Sequence, residues 1–144
     1  MRERVLRVAL VVLAVGNVFV GPWAAFAPRS FYDDFPGFGR HWVQVDGPYN
    51  QHLVRDFGAL NLAFAVVTVA AVITLSRPLV IAVAIAWLAW GVPHLVYHVR
   101  HIDVYSTSDQ VLNAVLLGAL PVIAFVVLAL ARRSPAEAER PSGG

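Results

Sequence analysis

Residues 79–99 read LVIAVAIAWLAWGVPHLVYHV, a run without a single Asp, Glu, Lys or Arg. A helix needs about 20 mostly apolar residues to cross a bilayer, and this run supplies them. With no water in hydrocarbon the backbone must satisfy its own hydrogen bonds, so the run is read as an α-helix despite its β-branched residues. The Ser76-Arg77-Pro78 step before it reads as a tight turn, and Phe57–Leu75 on the other side of that turn is equally apolar. Two further uncharged runs, Val8–Ala27 and Val111–Ala131, bring the number of spans to four. The expected fold is all-α: an integral membrane four-helix bundle over residues 1–131, with the second and third helices forming an antiparallel hairpin.

Composition agrees. The chain of 144 residues is 58% hydrophobic and only 14% charged, where soluble domains carry roughly 25% charged residues. Mean hydropathy is +0.66. The absence of cysteine excludes disulfides and thiolate metal sites. All eleven basic residues are Arg, a composition that suggests a GC-rich bacterial gene. Met1–Arg7 followed by an apolar run resembles a secretory signal. The run exceeds the usual ~7–15 apolar residues of one, however, and Pro28 would follow the Ala25-Phe26-Ala27 cleavage site directly. It is therefore read as a span. Gly16, Gly21, Gly58, Gly91 and Gly118 are available for close helix approach.

The charges set the expected orientation. Arg2, Arg4, Arg7, Arg77, Arg132, Arg133 and Arg140 fall on one side with Glu3, Glu137 and Glu139, a net of +4. Arg29, Arg40, Arg55 and Arg100 fall on the other with Asp33, Asp34, Asp46, Asp56, Asp103 and Asp109, a net of −2. The Arg imbalance predicts a bacterial inner membrane protein with both termini cytoplasmic. It also explains the pI near 9.5 without nucleic acid, and the lipid bilayer is the expected partner. The tail Arg132–Gly144 reads as disordered. Ser106, Thr107 or Ser108 can cap the fourth helix, with Asp109 near its positive end. The long outer loop, Pro28–Tyr49, reads first as an interfacial aromatic belt. The sharper alternative is a lid over the outer face.

All five histidines fall at that outer end: His41 in the loop, His52 at the start of the second helix, and His94, His98 and His101 at the end of the third. At ~100° per residue, Trp87, Trp90, His94, Tyr97, His98 and His101 share an arc of about 100°. Pro93 lacks an N–H and crowds the preceding turn, so a kink is expected beside His94. Three readings compete. The first is interhelical packing. The second is a transition metal, zinc, copper or iron, held by His94 and His98 at i and i+4, with His52 or Asp56 completing the site and His101 or His41 at its rim. The third, given less weight, is a haem with the tryptophans along its ring. Asp56 shares a helix face with His52 and can orient it, or it can pair with Arg100. Arg55 reads as solvated. Asn61 and Asn113 lie about a turn inside the outer ends of their helices, and with Asp56 and His94 they can line a polar pocket. Asn17 reads as glue between helices. No span holds an Asp or Glu for a midplane proton relay, and no nucleophile elbow or phosphate loop is present.

The run FYDDFPGFGRHWVQVDGPYNQHLVRDFGALNLAFA, residues 31–65, and PHLVYHVRH, residues 93–101, resemble small four-span membrane proteins of GC-rich bacteria. That resemblance implies a four-helix bundle and no assigned activity. At the level of the fold the chain is distantly similar to the DoxX-like four-helix group, some of whose members are linked to membrane redox complexes. None of that group's functional motifs maps onto this sequence residue by residue. A paired His on one helix with a third on another is also similar to membrane hydrolases with a three-His zinc site, which have further spans and motifs. The expectation is an outward-facing pocket for a metal ion or cofactor, in a small redox or hydrolytic enzyme. The alternatives are an accessory subunit of a larger membrane complex, a homo-oligomer, and a binder of a lipid or other hydrophobic small molecule.

Overall fold

A computed structural model describes residues 1–132, and the tail beyond Arg132 lies outside them. The element order is α1 (Arg2–Phe26), α2 (Pro28–Asp34), β1 (Pro36–Gly37), β2 (Arg40–His41), α3 (Gln51–Thr74), α4 (Arg77–Arg100) and α5 (Thr107–Arg132). Single 3-10 turns occupy Gln44–Asp46 and Ile102–Val104. Four of the helices are long and apolar enough to cross a membrane, and they coincide with the four uncharged runs. Each begins a few residues before its apolar run, and polar side chains cap the starts of α3 and α5. Asn50 accepts from the Leu53 amide at 3.1 Å to start α3. Ser106 accepts from the Asp109 amide at 3.3 Å to start α5. α4 runs helical through Pro93, as α1 and α5 do through Pro22 and Pro121.

The turn between α3 and α4 is as tight as expected, with Leu75 left-handed at φ 48° and Pro78 in the first turn of α4. The partners differ from expectation. α3 packs chiefly along α1 and α4 along α5, while α3 and α4 meet only lightly. Small residues decide the first pair. A Cβ on Gly58 would lie 2.2 Å from the Ala25 amide nitrogen, and one on Gly21 would lie 2.9 Å from that of Leu62. The two backbones therefore touch, as they can where no side chain intervenes. Gly16 and Gly118 have nothing within 4 Å of such a Cβ.

The core lies towards the end where the chain starts and where α5 finishes, here called the tail end. Leu10, Leu13, Val80, Ala84, Ala124 and Val127 are buried there. Apolar side chains such as Val8, Val66, Ile73, Val115 and Phe125 face outward, which suits contact with lipid rather than water. Three arginines close the tail end. Arg2 donates to the Leu130 carbonyl at 3.1 Å, Arg7 to that of Val72 at 2.9 Å, and Arg77 to those of Ala131 and Arg132 at 3.0 and 3.1 Å. These carbonyls sit in the last turns of α3 and α5, where helices leave acceptors unfilled and where positive charge is favoured.

Candidate functional site

The other end, where the histidines lie, is closed by the loop. After Ala27 the chain reverses, and α2 runs back along α1. Trp23 donates to Ser30 Oγ at 3.2 Å, and Phe35 comes to 6.5 Å from Phe19, ring to ring. Phe31, Tyr32 and Trp42 are buried. Tyr32 donates to the Gly47 carbonyl at 2.6 Å. The segment therefore packs down on the ends of α1 and α3.

Asp109, in the first turn of α5, holds the lid. Its Oδ1 accepts from the Arg40 guanidinium and, at 2.9 Å, from Trp42 Nε1, while its Oδ2 accepts from Ser106 Oγ at 2.7 Å. Charge-assisted bonds of this kind are the stronger ones. A second link runs through Tyr105, whose hydroxyl lies 3.3 Å from the Trp42 carbonyl and 3.3 Å from His98 Nδ1. A carbonyl can only accept, so the phenol proton goes to Trp42. His98 must then donate from Nδ1 to the phenol oxygen, which leaves the lone pair on Nε2. Burial pushes the Tyr105 phenol up to about 12. Asp46 and Tyr97 push the same way, and the nearby Asn113 amide opposes them.

The α4 stripe keeps its predicted register. Trp90 stacks on His94 with ring centroids 4.6 Å apart, and His94 meets His98 edge-on at 4.6 Å. Both imidazoles are partly buried, Trp87 is buried, and Tyr97 and His101 are exposed. Trp87 donates to Thr68 at 3.3 Å across to α3. Tyr97 reaches Asp46 at 3.4 Å. His101 Nδ1 faces the Tyr97 carbonyl at 2.8 Å and His41 Nδ1 faces that of Asp33, so both also donate from Nδ1.

The second half of the expected ligand set is elsewhere. His52 and Asp56 pair with each other at 3.1 Å, with side chains 87% and 63% exposed. Asp56 thus orients His52, as its spacing allows, but on the open surface. Among the described residues no three His, Asp or Glu side chains come together in reach of one ion. The expected set of His52, Asp56, His94, His98 and His101 is therefore not assembled. The reason is the helix pairing: α3 lies along α1, and His52 stays away from the α4 stripe. Arg55, read as solvated, caps α1 by donating to the Ala25 carbonyl at 2.9 Å.

Asn61 is buried and donates to the Phe57 carbonyl in its own helix at 2.8 Å. Asn113 is 1% exposed, and neither Nδ2 nor Oδ1 has a partner. Asn17 Nδ2 is likewise buried and unpaired. Two apolar grooves, about 440 and 530 Å³, lie on α1 against α5 and against α3, away from the histidines.

Sequence reading missed Tyr105 entirely and saw Arg40 and Trp42 only as loop residues. The available signal was Ser106-x-x-Asp109, a capping pair whose acid has oxygens to spare. No protein-family model, curated protein or solved structure matches the chain.

Proposed function

We propose that this is a multi-pass membrane protein that binds a transition-metal ion at its lidded end through Nε2 of His94 and His98. The observation that carries the reading is the place of His98 Nδ1, 3.3 Å from the Tyr105 hydroxyl. That nitrogen is committed to Tyr105, which is fixed in turn by the Trp42 carbonyl. Metal-bound imidazoles are held in this way, with one nitrogen donating to a fixed acceptor and the other free for the ion. The i and i+4 spacing puts His94 on the same face, and its stacking on Trp90 fixes that ring. Zinc, copper and iron suit imidazole donors. A position left open on the ion would hold water or substrate, the starting point for redox or hydrolytic chemistry. The surplus of Arg at the tail end supports an inner-membrane orientation with both termini in the cytoplasm.

Elemental analysis of detergent-purified protein tests the reading. Stoichiometric metal in the wild type, lost in His98→Ala, is the expected result. A metal-free protein that also fails to take up added zinc overturns it. A reporter fused to the C-terminus should signal from the cytoplasm, and a signal from outside reverses the orientation.

One observation favours a second reading, an accessory subunit. Phe38 tips the β1–β2 hairpin fully exposed, at φ 58° between Gly37 and Gly39, which also have positive φ. A bulky residue in this conformation is uncommon, and nothing among the described residues packs on it. Phe38→Asn suits the turn better. If it frees the protein from a co-purifying complex, the accessory reading gains.

A further inference from the structure

We infer that Asn113 supplies the third donor to the ion at His94 and His98, through its carboxamide oxygen, in place of the expected His52 or Asp56. This rests on the metal reading above. Three observations converge on it. First, Asn113 is 1% exposed and both of its polar atoms lack partners. A buried amide left in that state costs free energy, so it calls for an occupant beside it. Second, Asn113 is in register with the histidines. Gly91 of α4 faces Pro121 of α5, with 3.8 Å to a Cβ built on the glycine. In an antiparallel pair that contact sets Asn113 level with Val99, next to His98. Third, His98 stands two turns beyond Gly91 on the same face of α4, so its ring lies on the side of α4 turned towards α5. Asn113 thus stands on the facing helix at the depth of the imidazole whose Nε2 is free.

The resulting set, two imidazole nitrogens and one amide oxygen, is neutral. Mixed nitrogen and oxygen donors suit borderline divalent first-row ions such as iron, cobalt and zinc. Because no protein donor offsets the ion's charge, an anionic fourth ligand, hydroxide or a substrate carboxylate, is favoured in this partly buried place.

Cobalt(II) titration of the purified full-length chain, followed by visible absorption, tests the inference. Asn113→Leu should lower cobalt affinity by about tenfold or more and alter the spectrum, since a donor is lost. Its melting temperature should hold or rise, because two unpaired polar atoms leave the interior. Asn113→His, which restores a donor, should recover tight binding. If Asn113→Leu binds cobalt with wild-type affinity and spectrum while His98→Ala does not bind, the role of Asn113 is refuted and the two-histidine reading stands. If the wild type takes up no cobalt, both fall.

Discussion

The two ends of this bundle are finished by the same kind of chemistry to different effect. At the tail end, Arg2, Arg7 and Arg77 spend their donors on carbonyls in the last turns of α3 and α5. At the histidine end, Asp109 collects donors from Arg40, Trp42 and Ser106, and a further layer lies beneath: Tyr105, His98, His94 and Asn113. Among the described residues, two side chains have buried unpartnered atoms: Asn113 at the histidine end, with both of its polar atoms, and Asn17 near mid-span, with one. The difference is one of surplus. The tail-end cations complete helices that would otherwise end unsatisfied, whereas the histidine end carries more polar groups than its helices need. Function is sought where the surplus is.

The largest expected effect tests how rigidly the histidine end is built. Gly58→Ala forces a methyl into the Ala25 backbone and should destabilise the protein by about 3 kcal/mol or abolish folding. Gly118→Ala meets open space and should be neutral in the same thermal-unfolding assay. Equal effects would erase the contrast in packing.

Next is the lid. Asp109→Ala removes the acceptor shared by Arg40 and Trp42 and should cost about 2 kcal/mol. Labelling of His98 with an imidazole-reactive reagent should then speed up, because Tyr105, which stacks on His98 and bonds to the Trp42 carbonyl, is no longer held in place. Arg77→Ala at the tail end should cost about 1 kcal/mol or less and leave that labelling unchanged. An Arg77→Ala protein whose histidines become reactive would show that the ends are not independent.

The smallest effect concerns pH. The folded protein holds the Tyr105 proton to about pH 12, against an ordinary value of 10.0. A raised folded value means that the stabilisation is complete below pH 10 and is lost as pH climbs towards 12. In a phenolate absorbance titration of the four tyrosines, the step near 12 should vanish in Tyr105→Phe.

Much of the frame was legible because hydropathy speaks directly to it. Four uncharged runs gave four helices, and the stripe from Trp87 to His101 held its face because helical periodicity is local. Helix partners were not legible. Hydropathy does not say which apolar faces meet, and the contact of Gly58 with Ala25 that pairs α3 with α1 depends on a crossing thirty-odd residues away in sequence. That single uncertainty misplaced His52 and Asp56. The lid was hidden for a related reason: Arg40 and Trp42 acquire meaning only when Asp109 is brought to them. Asn113 was visible as a polar residue within a span, but its lack of partners is a property of the fold alone.

The most direct test of the central claim is the imidazole nitrogen resonances of His98 in isotope-labelled protein, recorded before and after zinc is added. The account predicts a protonated Nδ1 and a bare Nε2 without metal, and a shift of the Nε2 signal on zinc addition that is absent in His94→Ala. A proton on Nε2 in the metal-free protein, or an Nε2 signal that zinc leaves unmoved, would contradict it.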